Sequence, residues 1–316
     1  MTRWLITWVL AFSLGVVWPW NDAQAQAARV TAQQVSPSAW FVQGEAALGS
    51  AANRNFISNA GFIVTPAGVV VIDALGAPQL ARELMAEILR LTGKKVTHVI
   101  VTHYHADHIY GLQEFRREGA TIIAHQAARE YLNSDLAQSR LAASRIELAP
   151  WIDADTRLVP ADRWIDGPYE LDVGGVQLRI QPVGPSHTPE DLVVFFTAER
   201  VLFAGDLVFR GRIPFVGQAD SAQWIKSLGV ILALDAQVVV PGHGALSTQA
   251  RQDLELTRDY LLYLRQTMGR AAREMEPFDE AYARVDWSRF EQMPLFRAAN
   301  RMNAYNTFLL MERQPQ

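Results

Sequence analysis

Three histidines and one aspartate stand within six consecutive positions of this chain, as His103, His105, Asp107 and His108. The whole sequence has only seven histidines, so this H-x-H-x-D-H pattern concentrates them strongly. Histidine nitrogen and aspartate oxygen suit zinc and related metals. Alternate residues of an extended segment face the same way, so His103 and His105 can face one metal while Asp107 and His108 face a second. The pattern predicts a metal site, and the fold must bring further ligands to it.

Further candidate ligands follow other predicted strands. The segment 95–102, which precedes the first histidine, is rich in β-branched residues and is typical of a buried strand. His187, Asp206 and His243 also stand at the ends of apolar runs. Because strand ends in layered α/β folds form a common edge, we expect these side chains to meet there. One catalytic zinc takes three protein ligands and a water, whereas this larger set suits two metals that share a bridging ligand.

Strand and helix patterns alternate in both halves of the chain, which favours an α/β fold with helices covering a sheet core. Residues 135–168 form the least regular stretch and are expected to hold a loop or lid. The same patterns predict a strand at 55–64, a helix at 78–93, a hairpin at 169–184, and helices at 221–234, 246–275 and 296–312.

The first residues have the pattern of an export signal. Arg3 precedes an uncharged apolar run at residues 4–18. Residues 21–27 then contain small residues at A-x-A spacing, which is typical of a cleavage site. The run is shorter than the roughly 20 residues of a membrane span. We expect 1–25 to be a signal peptide of the general secretory route, with a retained N-terminal anchor as the alternative. The mature chain, 26–316, is then expected to be a single periplasmic domain free of the membrane.

The amino-acid composition excludes several kinds of site. The chain has no cysteine, which excludes disulfides, thiolate ligands and a cysteine nucleophile. The net charge is -4 and no basic patch is present, so nothing indicates nucleic-acid binding. A small-molecule substrate is the expected partner.

As a set, these motifs resemble the metallo-β-lactamase superfamily over about residues 40–250. The likeness lies in "HYHADH" with Gly111, "GPSHTPED" at 184–191, "AGD" at 204–206 and "PGHG" at 241–244. It implies an αββα sandwich with the metals at one edge, between the sheets. By the same likeness, one zinc would be held by His103, His105 and His187, the other by Asp107, His108 and His243, and both by Asp206.

The aspartate at position 206 indicates which members of the superfamily the chain resembles most. β-Lactamases of the superfamily tend to place cysteine or serine at the position of Asp206, whereas an aspartate resembles the hydroxyacylglutathione hydrolases of the glyoxalase II type and the lactonases. The text of residues 204–221, together with the export signal, is most similar to the quinoprotein relay system zinc metallohydrolases, which are periplasmic.

We therefore expect an exported hydrolase with two Zn²⁺ that cleaves an ester, thioester, lactone or amide-like bond with a metal-bridging hydroxide. Asp107 would orient the hydroxide and move a proton. Arg210 and Arg212 would hold a substrate carboxylate. Two alternatives remain open. One is an enzyme with a single iron, similar to the persulfide dioxygenases of the same superfamily, and the other is a non-catalytic accessory protein of a periplasmic quinoprotein pathway.

Overall fold

The computed structural model describes residues 29–313, and its first β-sheet has seven strands in chain order. Its first four strands pair antiparallel and its last four pair parallel. Parallel neighbours need crossover connections, which helices supply here. The strands are β1 (Ala32–Gln34), β2 (Ala39–Val42), β3 (Ala60–Thr65), β4 (Gly68–Ile72), β5 (Val96–Ile100), β6 (Thr121–His125) and β7 (Arg163–Ile165).

Helices cover the outer face of this sheet. The first, α1 (Pro78–Thr92), begins at a proline and ends at Gly93, which adopts the left-handed conformation (φ 67°) that glycine tolerates. Its buried residues Leu80, Leu84 and Ile88 recur at helical spacing. The other helices of this layer and its loops are α2 (Ala106–Ile109), α3 (Leu112–Arg117), α4 (Ala128–Leu132) and α5 (Asp135–Glu147).

The second sheet has five strands in the order β12-β11-β10-β9-β8. They are β8 (Tyr169–Val173), β9 (Val176–Pro182), β10 (Leu192–Phe196), β11 (Val201–Phe203) and β12 (Val238–Val240). The predicted hairpin at 169–184 is confirmed as β8 and β9, which are joined by two glycines with positive φ. The outer face of this sheet is covered by α6 (Ser221–Ala233), α7 (Ala250–Arg273), α8 (Phe278–Arg284) and α9 (Phe296–Arg313).

Strand β10 shows how the layers are held together. Leu192, Val194 and Phe196 pack against the first sheet, whereas Val193 and Phe195 pack against the helices. This alternation follows from the two-residue period of a strand. Each fully buried aliphatic or aromatic side chain contributes about 1.5–3 kcal/mol. The predicted four-layer αββα sandwich is confirmed.

Two stretches differ from their predictions. The strand predicted at 55–64 begins only at Ala60, because Arg54 and Asn55 adopt positive φ and Asn59 donates its N–H to Gly242 instead of a neighbouring strand. The irregular stretch 135–168 contains α5 and the short strand β7.

The predicted signal peptide, residues 1–25, lies outside the described residues, and the single-domain assignment of 26–316 stays a prediction. Between residues 29 and 313, no helix combines the length and hydropathy that a membrane crossing requires.

Candidate metal centre

The structure brings all seven predicted ligands together at one edge of the sandwich. They lie just beyond the ends of β5, β9, β11 and β12 and form two groups, within each of which the ligand atoms lie within 4.8 Å of one another. The first group is His103, His105, His187 and Asp206, and the second is Asp107, His108 and His243.

Asp206 stands between the two groups. Its Oδ2 lies 3.4 Å from His187 Nε2, and its Oδ1 lies 3.2 Å from His108 Nε2. His243 Nε2 lies 3.3 Å from Asp206 Oδ2 and 3.3 Å from Asp107 Oδ2. One carboxylate therefore faces ligands of both groups, as a bridging ligand would.

Several of these atoms are buried without a hydrogen-bond partner among residues 29–313, including His103 Nε2, His108 Nε2 and Asp206 Oδ1. An unsatisfied buried polar atom costs about 1–3 kcal/mol. A cation between the groups would satisfy these atoms together, and the mixture of imidazole nitrogen and carboxylate oxygen suits zinc. The residues present fit two metal ions.

The protonation states of His103, His187 and Asp206, all in the first ligand group, also fit a metal site. Burial lowers the pKa of His103 well below its ordinary value and lowers the pKa of His187 to about 3, so both rings are neutral and keep a free lone pair. Burial alone would raise the pKa of Asp206, but His243 and His108 outweigh burial and hold that pKa well below its ordinary range. Asp206 is therefore an anion.

Hydrogen bonds behind the cluster orient three of the rings. His108 Nδ1 donates to Asp73 Oδ2 at 2.9 Å, and His243 Nδ1 donates to the carbonyl of Ile57 at 2.7 Å. His103 Nδ1 lies 3.1 Å from the Thr102 hydroxyl. Such contacts fix the tautomer, so that Nε2 of each ring faces the cluster.

Sequence reasoning missed Asp73 and Asn59. Asp73 directly follows β4 and adopts positive φ (63°), which is uncommon for a residue other than glycine. Buried Asn59 donates side-chain hydrogen bonds to the carbonyls of Pro241 and Gly244, both at 2.8 Å, and so holds the loop that carries His243. The available signal was a polar residue inside the predicted strand 55–64 for Asn59, and a polar residue directly after the apolar run 68–72 for Asp73.

Glycine is required beside the Asp206 carboxylate. A Cβ on Gly242 would stand 2.0 Å from Asp206 Oδ1. Gly205, immediately before Asp206, adopts φ +51°, and a Cβ there would stand 2.7 Å from the Thr102 hydroxyl oxygen. The glycines of "AGD" and "PGHG" therefore allow the loops after β11 and β12 to approach closely.

The two predicted substrate arginines lie in different surroundings. Arg210 donates from Nε to Asp253 and from Nη1 to the carbonyl of Leu246, both at 2.7 Å. Arg212 is 4% exposed, and its Nη1 lies 3.4 Å from His243 Nδ1. Only Arg212 reaches the candidate metal centre.

Aromatic rings back the ligands, which the sequence reasoning did not anticipate. Phe209 stacks on His243 with ring centroids 5.0 Å apart and planes within 5°. Trp224 and Phe215 approach His187 at 5.3 and 6.4 Å. This apolar backing keeps water away from the ligand rings and restricts their rotation.

Known proteins are similar to this chain in sequence. The model of the Metallo-beta-lactamase superfamily matches residues 53–243. The metallo-beta-lactamase type 2 of Elizabethkingia meningoseptica is 27% identical over 212 residues, which are 65% of this chain and 77% of that protein. The linear primary-alkylsulfatase of Pseudomonas sp. (strain ATCC 19151) is 23% identical over 238 residues, which are 64% of this chain and 45% of that protein.

Solved structures show the same fold. A metallo-beta-lactamase from Pontibacter korlensis matches with a TM-score of 0.58 and 22% identity, covering 74% of this chain and 99% of that one. The sec-alkylsulfatase Pisa1 from Pseudomonas sp. matches with a TM-score of 0.71 and 18% identity, covering 91% of this chain and 51% of that one. The chain spans about half the length of these alkylsulfatases, at 45% and 51%.

Proposed function

The chain belongs to the metallo-β-lactamase superfamily, and we propose that within it this protein is a hydrolase that uses two zinc ions to cleave an ester, thioester, lactone or amide-like bond of a small molecule. Relatives named as a lactamase and a sulfatase make hydrolysis the expected reaction class. The proposal also includes export to the periplasm, which the pattern of residues 1–25 supports.

One observation carries the proposal, namely the placement of Asp206 between two groups of ligands. A catalytic site for one zinc needs three protein ligands and an open position. Seven ligands, one of which is the shared carboxylate of Asp206, match the requirement of a two-metal site. When bound, two zinc ions would lower the pKa of water to about 7 and polarise the scissile bond.

Asp107 is the residue that we assign to proton movement. Its side chain keeps 16% exposure, whereas that of Asp206 keeps 4%, so Asp107 can meet water and substrate. Burial alone would raise the pKa of Asp107. His108 and His243 outweigh burial, lower that pKa and keep the carboxylate ionised. The Ser58 hydroxyl donates to the Asp107 carbonyl at 2.6 Å and fixes its backbone. An anchored, ionised and accessible carboxylate can orient a nucleophilic water and accept its proton.

Metal content and turnover of the same preparation test the proposal. The mature protein would be purified from the periplasm without added metal and assayed with thioesters, lactones, β-lactams and, because of the alkylsulfatase relatives, sulfate esters. We expect about two zincs per chain. We also expect turnover of at least one class and its loss in Asp206→Ala. His125→Ala is the control, because His125 lies outside both ligand groups.

Two results contradict this proposal. About one iron per chain, with oxygen uptake on a glutathione persulfide, would make the protein a dioxygenase. Full zinc occupancy without turnover of any class would favour the accessory role in a quinoprotein pathway.

A further inference from the structure

The side chain of Arg210 joins two segments of the chain. Its Nε donates to Asp253 Oδ2 and its Nη1 donates to the carbonyl of Leu246, both at 2.7 Å. The side chain of Arg210 is 32% exposed and that of Asp253 is 16% exposed, so the pair is largely shielded from water. A planar guanidinium that donates to two acceptors at once is held in one orientation. Arg210 is therefore a fixed link within the protein.

One of the two segments is residues 243–247, the His243 loop. Arg210 holds this loop at two points. Its side chain reaches Leu246, and its backbone N–H donates to the carbonyl of His243 at 2.9 Å. The two stretches lie in close contact, since a Cβ on Gly244 would stand 2.0 Å from the carbonyl oxygen of Arg210. Movement of Arg210 would therefore be passed to the backbone of a predicted metal ligand.

The other segment is the start of α7. Asp253 lies in the first turn of that helix, where the helix dipole stabilises a carboxylate. Its Oδ2 also accepts a hydrogen bond from the hydroxyl of Ser247, the last residue of the His243 loop. The same hydroxyl accepts a hydrogen bond from the N–H of Gln249 at 3.1 Å. One carboxylate thus binds both the loop itself and the guanidinium that holds the loop.

Other contacts fix the His243 loop near its two ends. Asn59 donates to the carbonyl of Gly244 at 2.8 Å, and Ser247 exchanges backbone hydrogen bonds with Val239 of β12 at 2.8 and 2.9 Å. The side chain of Arg210 adds a contact between these anchors, at Leu246. A metal ligand must be held within about 0.5 Å of its productive position. Contacts that restrict the backbone next to His243 are therefore expected to strengthen metal binding.

We propose that Arg210 and Asp253 form a positioning pair, through which α7 holds the His243 loop and strengthens metal binding by the second ligand group. This role rests on the proposed function for the presence of the metals, but not for hydrolysis. It replaces the substrate contact that the sequence predicted for Arg210. Asp253 stands ten positions beyond His243, the last residue matched by the family model. The pair therefore joins the helical layer beyond the matched region to the metal centre.

Chelator competition followed by zinc analysis tests the pair. Wild type, Arg210→Met and Asp253→Ala would be loaded with zinc and titrated at a temperature at which all three are folded. We expect each variant to release one zinc at about 10-fold lower chelator. This is the low end for contacts behind a metal ligand, because the pair acts on the backbone and not on the ring. The other zinc should be released as in wild type. Unchanged release of both zincs would overturn the proposal.

Asp259 provides a matched control in the same helix. Its Oδ2 accepts a hydrogen bond from Arg289 Nη2 at 2.7 Å, the distance found in the positioning pair. Within residues 29–313, neither Asp259 nor Arg289 bonds to the His243 loop. We expect both Asp253→Ala and Asp259→Ala to lower the melting temperature, whereas only Asp253→Ala weakens zinc binding. Equal weakening in the two variants would indicate a general loss of stability and would refute the positioning role.

A double-mutant cycle tests whether the two residues act as a pair. In an Arg210→Met background, Asp253→Ala should weaken zinc binding only as much as Ser247→Ala does alone, because the contact with Arg210 is already lost. Arg210→Lys should keep part of the zinc affinity, since lysine retains the charge without the planar fork. Fully additive losses from Arg210→Met and Asp253→Ala would show that the residues act separately.

Steady-state kinetics distinguish positioning from substrate binding. A positioning residue changes the zinc concentration that the enzyme needs, so Arg210→Met should keep the KM of wild type once zinc is in excess. A residue that binds the substrate in both ground and transition states changes KM instead. A raised KM with unchanged zinc affinity would restore the predicted substrate contact and overturn the pair.

Hydrogen exchange of the metal-free protein tests the pair without metal or turnover. We expect the amides of Arg210 and Ser247 to exchange faster in Asp253→Ala, because their acceptors lie in or beside the loosened loop. Unchanged exchange would count against the pair. Zinc affinity that depends on Asp253 without turnover of any substrate class would keep the pair and remove the hydrolase. Turnover with zinc affinity indifferent to Arg210 and Asp253 would keep the hydrolase and remove the pair.

Discussion

Replacing Asp73 by asparagine tests how firmly the second ligand group depends on contacts behind it. The Asp73 carboxylate accepts hydrogen bonds from the N–H and hydroxyl of Thr102, both at 2.8 Å, and from His108 Nδ1 at 2.9 Å. Asparagine has the same shape but only one oxygen. In either orientation of its amide, an N–H group faces a donor that the carboxylate had satisfied.

The size of the effect follows from the bond that is lost. A hydrogen bond to a charged group contributes about 1.5–3 kcal/mol, which is about a 10- to 150-fold change in an equilibrium constant. Contacts behind a metal ligand typically change metal affinity by about 10- to 100-fold. Because His108 belongs to the group with Asp107 and His243, the loss should fall mainly on the metal of that group.

Chelator competition followed by metal analysis measures this loss. Wild-type protein should release its metals over one range of chelator, whereas Asp73→Asn should release one metal at about 10- to 100-fold lower chelator. Asp162→Asn is the control, because Asp162 also accepts a backbone N–H, that of Ile122, yet contacts no ligand. If Asp73→Asn holds both metals as tightly as wild type, Asp73 does not determine the orientation of His108.

Three further outcomes are expected. Gly242→Ala should abolish metal binding and turnover, since its Cβ would stand 2.0 Å from Asp206 Oδ1, whereas Gly229→Ala in α6, with nothing within 4 Å, should leave metal content unchanged. Asn59→Ala removes two side-chain bonds to the loop of His243 and should lower stability by about 1–3 kcal/mol in denaturant titration and weaken the second metal. EDTA should lower the melting temperature by about 5–10 °C, and added zinc should restore it. The reason is that a ligand at 100-fold above its dissociation constant adds about 2.7 kcal/mol to the free energy of unfolding. An unchanged melting temperature would contradict metal binding to the folded state.

The positions of the predicted ligands could be read from the sequence because each follows a strand with a clear pattern. His187, Asp206 and His243 come after apolar runs that form β9, β11 and β12. Strand ends meet at one edge in a layered fold, so the sequence indicated proximity without any knowledge of the contacts. The buried core was equally predictable, because strands such as β10 follow the two-residue period that decides which face each side chain occupies.

The supporting residues could not be read in the same way, because their partners are distant in sequence. Asp73 meets His108 across 35 positions, and Asn59 meets Pro241 across 182 positions. No local pattern encodes such pairs, and a lone polar residue at a strand end fits a turn equally well. Helix α5 was missed for a different reason, because its exposed Leu136 and Ile146 disturb the amphipathic pattern by which a helix is predicted.

The arginines show where spacing fails as a guide. Arg210 and Arg212 are two positions apart, so an extended chain would direct both side chains to the same face. Gly211 turns the backbone between them, and Arg210 pairs with Asp253 while Arg212 approaches His243. Composition and spacing treat the two residues alike, and only the turn distinguishes their roles.

Substrate choice must then come from elements that the ligand motifs do not include. Proteins named as lactamases and as sulfatases share this superfamily's fold, so the fold and a metal centre alone cannot select among substrates. In this chain, the loop after Asp206 is held at Pro214 and Val216 by Asn303, which stands 60 positions beyond His243, the last residue matched by the family model. If α9 sets the position of this loop, then changes in a distant helix can alter the surroundings of the metal centre while leaving every predicted metal ligand in place.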